Sequence, residues 1–184
     1  MIEVDRRTRA WLRRAGIGGA LALAAVAMAA MPAAAFSGSG QFVDRLSGQC
    51  IAVDQGSFNA GAKIEQYECI QTSNQYWLQD PSSEIDANGL AYFSWINENS
   101  GQCIGVGNSS LRAGALVKQW PCYGAADQHW ALVQATDDGY WDELVNLNSG
   151  MCLGVPGGTL QESVWLVQWY CNGSADQHWH FTGS

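Results

Sequence analysis

The chain has 184 residues, 47% of them hydrophobic, with 9 basic and 17 acidic side chains. Five basic residues (Arg6, Arg7, Arg9, Arg13, Arg14) and two acidic ones (Glu3, Asp5) precede residue 36, so residues 36–184 hold 4 basic against 15 acidic groups, a formal charge of −11. With only Arg45, Lys63, Arg112 and Lys118 to meet an anion, nucleic acid and anionic membrane surfaces are disfavoured as partners, and a neutral or cationic ligand fits better.

Residues 1–35 read as a secretory signal. The arginines precede a run without charge from Ala15 to Met31, and Pro32-Ala33-Ala34-Ala35 supplies small residues for cleavage after Ala35. The competing reading, a membrane anchor, is weakened by an Ala- and Gly-rich run that is short for a span. Ala15-Gly16 after Arg13-Arg14 favours general export over a twin-arginine signal. The mature chain, 36–184, is long enough for one domain that buries about 70% of its unfolded surface and needs no partner to fold, so a secreted, extracellular monomer is expected.

From residue 42 onward one frame recurs three times: Cys50, Cys69, Gln75, Trp77; Cys103, Cys122, Gln128, Trp130; Cys152, Cys171, Gln177, Trp179. In each copy 19 positions separate the cysteines, and the Trp follows the second cysteine by 8. Such repeats are units that cannot bury an apolar face alone and must pack on one another. The six cysteines, oxidised after export, could pair in 15 ways. The repeat symmetry selects Cys50–Cys69, Cys103–Cys122 and Cys152–Cys171, each worth roughly 3 kcal/mol in the chain-entropy account. His129, His178 and His180 stand in no metal-ligand cluster, so no metal or other cofactor is expected.

The copies, about 42–80, 92–133 and 144–182, read as strands throughout. In the middle copy strands are predicted at 92–96, 103–106, 115–122 and 128–133, with turns or loops at 97–101, 107–114 and 123–127. Four per copy makes about twelve. Three copies of four short strands favour an all-β barrel with threefold symmetry over a propeller, which typically needs four blades or more.

Ser-Gly-x-Cys, an aromatic two before the second Cys, and Gln-x-Trp beyond it resemble the ricin B-chain type of lectin, the Q-x-W family, over about 42–181. The resemblance implies a β-trefoil of three lobes, each able to hold a shallow carbohydrate site, with the Gln and Trp of Q-x-W structural. It places the sugar platform on Tyr67, Trp120 and Trp169, and a polar contact on Asn74, Asp127 and Asp176. A pyranose wants such a set, an aromatic for its C–H face and polar groups for its hydroxyls.

Two positions depart from the family pattern. The Asp two residues after the first Cys is replaced by Ala52, Gly105 and Gly154. The Gln two before the aromatic is replaced by Glu65, Lys118 and Val167, with Gln66, Gln119 and Gln168 one place on and, by strand alternation, facing away from the platform. Asp54, two beyond Ala52, is expected to bring a carboxylate back to the first lobe if the strand continues, and Glu65 or Lys118 to bond hydroxyls. The lobes rank first, second, third as candidate sites, because in the third Gly154, Pro156 and Val167 stand where polar groups are wanted. His129 and His178, at the x of Q-x-W, are expected at the surface.

Other readings stay open. The three aromatics could be buried packing residues, and Asp127 and Asp176 turn caps. A trefoil that has lost sugar binding could bind protein, as a hydrolase inhibitor or secreted module, through loops such as 107–114. Catalysis has little to build on: there is no G-x-S-x-G elbow, phosphate loop or metal motif. Asp137, Asp138, Asp142 and Glu143 form an acidic linker that reads as a solvated turn rather than a pair of glycosidase carboxylates. The chain is not expected to be an enzyme.

Overall fold

The computed structural model describes residues 38–183. The expected signal segment lies outside them. The described chain has fourteen strands and six single-turn 3-10 segments. In the first lobe these are β1 (Ser39–Gly40), β2 (Phe42–Asp44), β3 (Cys50–Val53), β4 (Ile64–Tyr67) and β5 (Trp77–Ile85). The second holds β6 (Ala91–Asn97), β7 (Cys103–Val106), β8 (Val117–Trp120) and β9 (His129–Gln134). The third holds β10 (Asp142–Asn146), β11 (Cys152–Gly154), β12 (Val164–Trp165), β13 (Val167–Trp169) and β14 (Trp179–Phe181). The count exceeds twelve because Gln41 interrupts one strand and Leu166 another.

The antiparallel ring runs β5-β6-β9-β10-β14-β2 and closes because β1, which leads directly into β2, pairs with β5. The hairpins β3–β4, β7–β8 and β11–β13 cap it. This is the threefold all-β barrel expected from the repeat, and the β-trefoil that the resemblance implies. The three disulfides are also as expected, Cys50–Cys69, Cys103–Cys122 and Cys152–Cys171.

The core is a stack of repeat-equivalent side chains: Phe42, Trp95 and Leu144; Ile51, Ile104 and Leu153; Val53, Val106 and Val155; Ile64, Val117 and Leu166; Trp77, Trp130 and Trp179. Full burial of each large side chain contributes about 1.5–3 kcal/mol. The Q-x-W tryptophans also satisfy their indole N–H, each donating at 3.1 Å to the carbonyl of Ile51, Ile104 or Leu153 in its own lobe. The Q-x-W glutamines tie down the loop after the second cysteine. Gln128, for instance, accepts from the Tyr123 amide at 2.9 Å and donates to the Pro121 carbonyl at 2.9 Å.

One expectation fails here. His129 and His178 are buried, not at the surface. His129 begins β9 and His178 immediately precedes β14, and the outward face of each is covered by neighbours: His178 Nδ1 lies 3.0 Å from Arg45 Nη1, and His129 Nδ1 lies 3.7 Å from a Glu84 carboxylate oxygen.

Candidate functional site

Each lobe carries a cleft beside its capping hairpin. The first, about 610 Å³, is lined by residues including Asp54, Glu65, Tyr67, Asn74, Ser163 and Trp165. The second, about 230 Å³, includes Asn108, Ser109, Trp120, Tyr123 and Asp127. The third, about 550 Å³, includes Val155, Pro156, Val167, Trp169, Asn172 and Asp176. In every lobe the platform aromatic and the polar residue preceding Q-x-W therefore face one cleft. The aromatics are not buried packing residues: Tyr67 and Trp120 are half-buried, and Trp169 is 47% exposed.

Strand alternation explains the convergence. Glu65 and Tyr67, like Lys118 and Trp120, are two apart on β4 and β8 and share a face, while the glutamine between them points inward. Gln66, Gln119 and Gln168 are fully buried. Lys118 does not line the second cleft, although the sequence put it there. It forms a backbone bridge with Lys63 at the seam with the first lobe, and its aliphatic stem covers Gly107. Asp54 reaches its cleft by a different route from the one expected. β3 stops at Val53, and Asp54 opens a 3-10 turn whose amide is fixed by the Lys63 carbonyl at 3.0 Å.

The missing aspartate has a structural counterpart. A Cβ placed on Gly105 would lie 3.0 Å from Gln128 Cγ and 3.4 Å from Asp127 Oδ2, and one on Gly154 would lie 3.0 Å from Gln177 Cγ and 3.6 Å from Asp176 Oδ2. In the second and third lobes the aspartate before Q-x-W thus leans over the glycine and supplies a carboxylate from the opposite side. Asp127 is buried and accepts from Ser109 Oγ at 2.8 Å. In the first lobe that position is the neutral Asn74, which donates to the Val53 carbonyl at 3.1 Å, and the carboxylates are Asp54 and Glu65. Burial, then the Asp54 charge, pushes Glu65 up to about 7 against a hydrogen bond from Ser163.

Sequence reasoning missed that the clefts are shared between lobes. Trp165 and Ser163 belong to the third lobe yet line the first cleft, and Gly114 of the second lobe lines the third. The Trp120 ring lies 3.2 Å from a Cβ built on Gly61, and the Trp169 ring lies 3.4 Å from one on Gly114, so a glycine of the neighbouring lobe leaves room for each platform. Ser163 of the third lobe is the repeat equivalent of these glycines and lines the first cleft. The signal was available: Lys63, Leu116 and Trp165 occupy one column, six residues before the second cysteine.

The acidic linker lines none of these clefts. Asp137 and Asp138 are exposed in a turn that Asp138 caps by accepting from the Tyr140 amide at 3.0 Å and from Thr136 Oγ1. Asp142 lies on β10 with its carboxyl raised by burial and His180 opposing the shift. Glu143, Cys152 and Cys171 offer ligand atoms within 4.8 Å of one another, but both cysteines are spent on a disulfide and provide no thiolate. Among the described residues no helix is long and apolar enough to cross a membrane.

A threefold barrel with disulfide-anchored hairpin caps and one aromatic-carboxylate cleft per lobe defines a β-trefoil of the lectin kind. Residues 38–179 match the ricin-type beta-trefoil lectin domain, and the chain belongs to that family. Among solved structures it is similar to a designed threefold-symmetric protein, ThreeFoil, at 28% identity and TM-score 0.70, covering 78% of this chain and 96% of that one. An exo-beta-1,3-galactanase from Clostridium thermocellum shares the fold at 23% identity and TM-score 0.71, over 80% of this chain but 30% of the galactanase. The Rhizoctonia solani agglutinin does so at 17% identity and TM-score 0.68, over 84% of this chain and all of the agglutinin. No curated protein matches the chain by sequence.

Proposed function

We propose that the chain is an exported, non-enzymatic carbohydrate-binding protein. On this reading residues 1–35 are a cleaved signal, and 36–184 form a monomeric domain that holds polysaccharide or glycan through several shallow lobes at once. One observation carries it: in all three lobes a half-exposed aromatic and a hydrogen-bonding side chain, Tyr67 with Asn74, Trp120 with Asp127 and Trp169 with Asp176, line the same cleft. An aromatic face with adjacent polar groups suits a pyranose. Several weak sites on one body give avidity toward a polymer without any single tight contact.

The test is a glycan array with insoluble-polysaccharide pull-down of the oxidised mature protein, beside Tyr67→Ala, Trp120→Ala and Trp169→Ala. The expected result is retention that drops with one or more of these substitutions while the fold is kept. A folded protein that binds nothing in the panel overturns the reading.

A second reading has its own support. Phe58, Leu111 and Leu160 are repeat equivalents, and all are more than 60% exposed. Repeated exposed apolar side chains fit a protein partner. Binding of that kind would survive loss of the three platforms and fail in Phe58→Ser, Leu111→Ser and Leu160→Ser.

A further inference from the structure

The seams between lobes are equivalent in backbone and different in chemistry. Trp165 pairs with Glu65 between the third and first lobes, Lys63 with Lys118 between the first and second, and Leu116 with Val167 between the second and third. An aromatic beside a carboxylate, two cations, and two aliphatics therefore stand at three copies of one position. Of these, the first joins a π face to negative charge inside a cleft.

Three features of that cleft point to a cation. Glu65 is 5% exposed, and the groups acting on it are a neutral donor, Ser163, and a second carboxylate, Asp54. Burying a carboxylate beside a like charge is costly unless a positive group arrives to pair with it. Trp165, 41% exposed, already attracts an ammonium, since Lys63 Nζ lies 2.8 Å from its ring centroid. Tyr67 and Asn74 complete the wall with an aromatic face and an amide, the elements that a sugar ring requires.

We propose that the first cleft is a composite subsite, built from the first and third lobes, for a protonated amino sugar such as a de-N-acetylated 2-amino-2-deoxyhexose unit of a polysaccharide. The ammonium faces Asp54 and Glu65, and the C–H face of the ring lies against Tyr67 or Trp165. An N-acetylated unit would present a neutral amide there and leave the carboxylates unpaired. This rests on the carbohydrate-binding reading and narrows it to one ligand chemistry at one lobe. Because Glu65 sits near 7, the arriving cation favours its ionised form, and binding below that pH releases a proton.

The experiment is titration calorimetry of the mature protein at pH 6 with glucosamine trimer and with N-acetylglucosamine trimer, on the wild type, Glu65→Gln and Trp165→Ala. Trp165 is exposed enough for its truncation to leave the fold intact, and Gln keeps the shape of Glu65. The amine trimer is expected to bind at least tenfold more tightly than the acetylated one, and each substitution to weaken it about tenfold. Equal affinity for the two trimers overturns the proposal. So does amine binding that neither substitution changes, which would reflect general attraction to an acidic surface. Pull-down on neutral polysaccharides through Trp120 and Trp169 reads the parent hypothesis separately: if it persists while the amine trimer fails, the amino-sugar subsite alone is lost.

Discussion

Nε2 of Gln119 lies 2.7 Å from the carbonyl oxygen of Ser57, a residue of the preceding lobe. The same amide donates to Asn59 at 3.1 Å, while its Oε1 accepts from Ser100 Oγ at 2.7 Å. Gln66 repeats the pattern with Thr159, Gln161 and Ser47, and Gln168 with Ser110, Arg112 and Ser149. Each glutamine thus clamps its hairpin to a loop of the adjacent lobe and holds the composite clefts in register. Gln119→Leu removes three hydrogen bonds made by a fully buried side chain to partly buried or exposed partners, so it should cost about 1–3 kcal/mol. Denaturant midpoints should show similar losses for Gln66→Leu and Gln168→Leu.

The threefold fold and the disulfides were legible because both are periodic: five columns of core side chains and three cysteine pairs repeat in phase. Face assignment along strands was legible for the same reason, which is why Tyr67 and Glu65 were brought to one cleft and Gln66 away from it. What escaped lies between repeats. A column such as Lys63, Leu116 and Trp165 is visible in the text, but which lobe it serves depends on the hairpins pairing across the seams. The burial of His129 and His178 escaped for a similar reason, since strand alternation separates faces but cannot say that Arg45 or Glu84 covers the outer one.

Restoring the family aspartate should fail in the second and third lobes. A side chain at Gly105 meets Gln128 Cγ at 3.0 Å and brings a carboxylate against that of Asp127, and Gly154 repeats this with Gln177 and Asp176. Crowding of this kind typically costs about 1–3 kcal/mol, and the like charges add to it. Gly105→Asp and Gly154→Asp are therefore expected to lower the unfolding midpoint and to leave glycan retention no higher than in the wild type. A gain in retention on a pull-down would show that Asp127 and Asp176 do not stand in for the absent group.

Asp44 occupies the position held by Asn97 and Asn146 in the other lobes. Those asparagines donate Nδ2 to the carbonyls of Asn74 at 3.0 Å and Asp127 at 2.9 Å. Asp44 Oδ1 accepts from the amides of Leu46 and Ser47, but its Oδ2 is buried with no partner. Burial raises its pKa above 3.8 despite those two bonds, and Asp176 adds to the shift. A raised pKa in the fold gives a contribution that is whole below about pH 4 and is lost as pH rises through the folded value. Asp44→Asn supplies a donor at every pH, so it should stabilise the protein at pH 7 by about 1–3 kcal/mol. The gain should shrink toward pH 3, as urea unfolding at both pH values would show.

Glu65 gives the same sign in a different window. Its carboxyl moves from 4.5 to about 7 on folding, driven first by burial and then by Asp54. The favourable contribution of the protonated form is therefore complete below about pH 4.5 and is lost between there and pH 7, where the folded protein must hold a buried charge. Glu65→Gln keeps the neutral shape throughout. The variant should match the wild type in unfolding midpoint at pH 4.5, exceed it at pH 8, and show the difference growing between the two. Asp44 and Asp142 titrate in both proteins, so the difference between them isolates Glu65. A gap that stays constant across the range would mean that Glu65 is ionised in the fold at all these pH values, and that the first cleft is negatively charged even before a cation arrives.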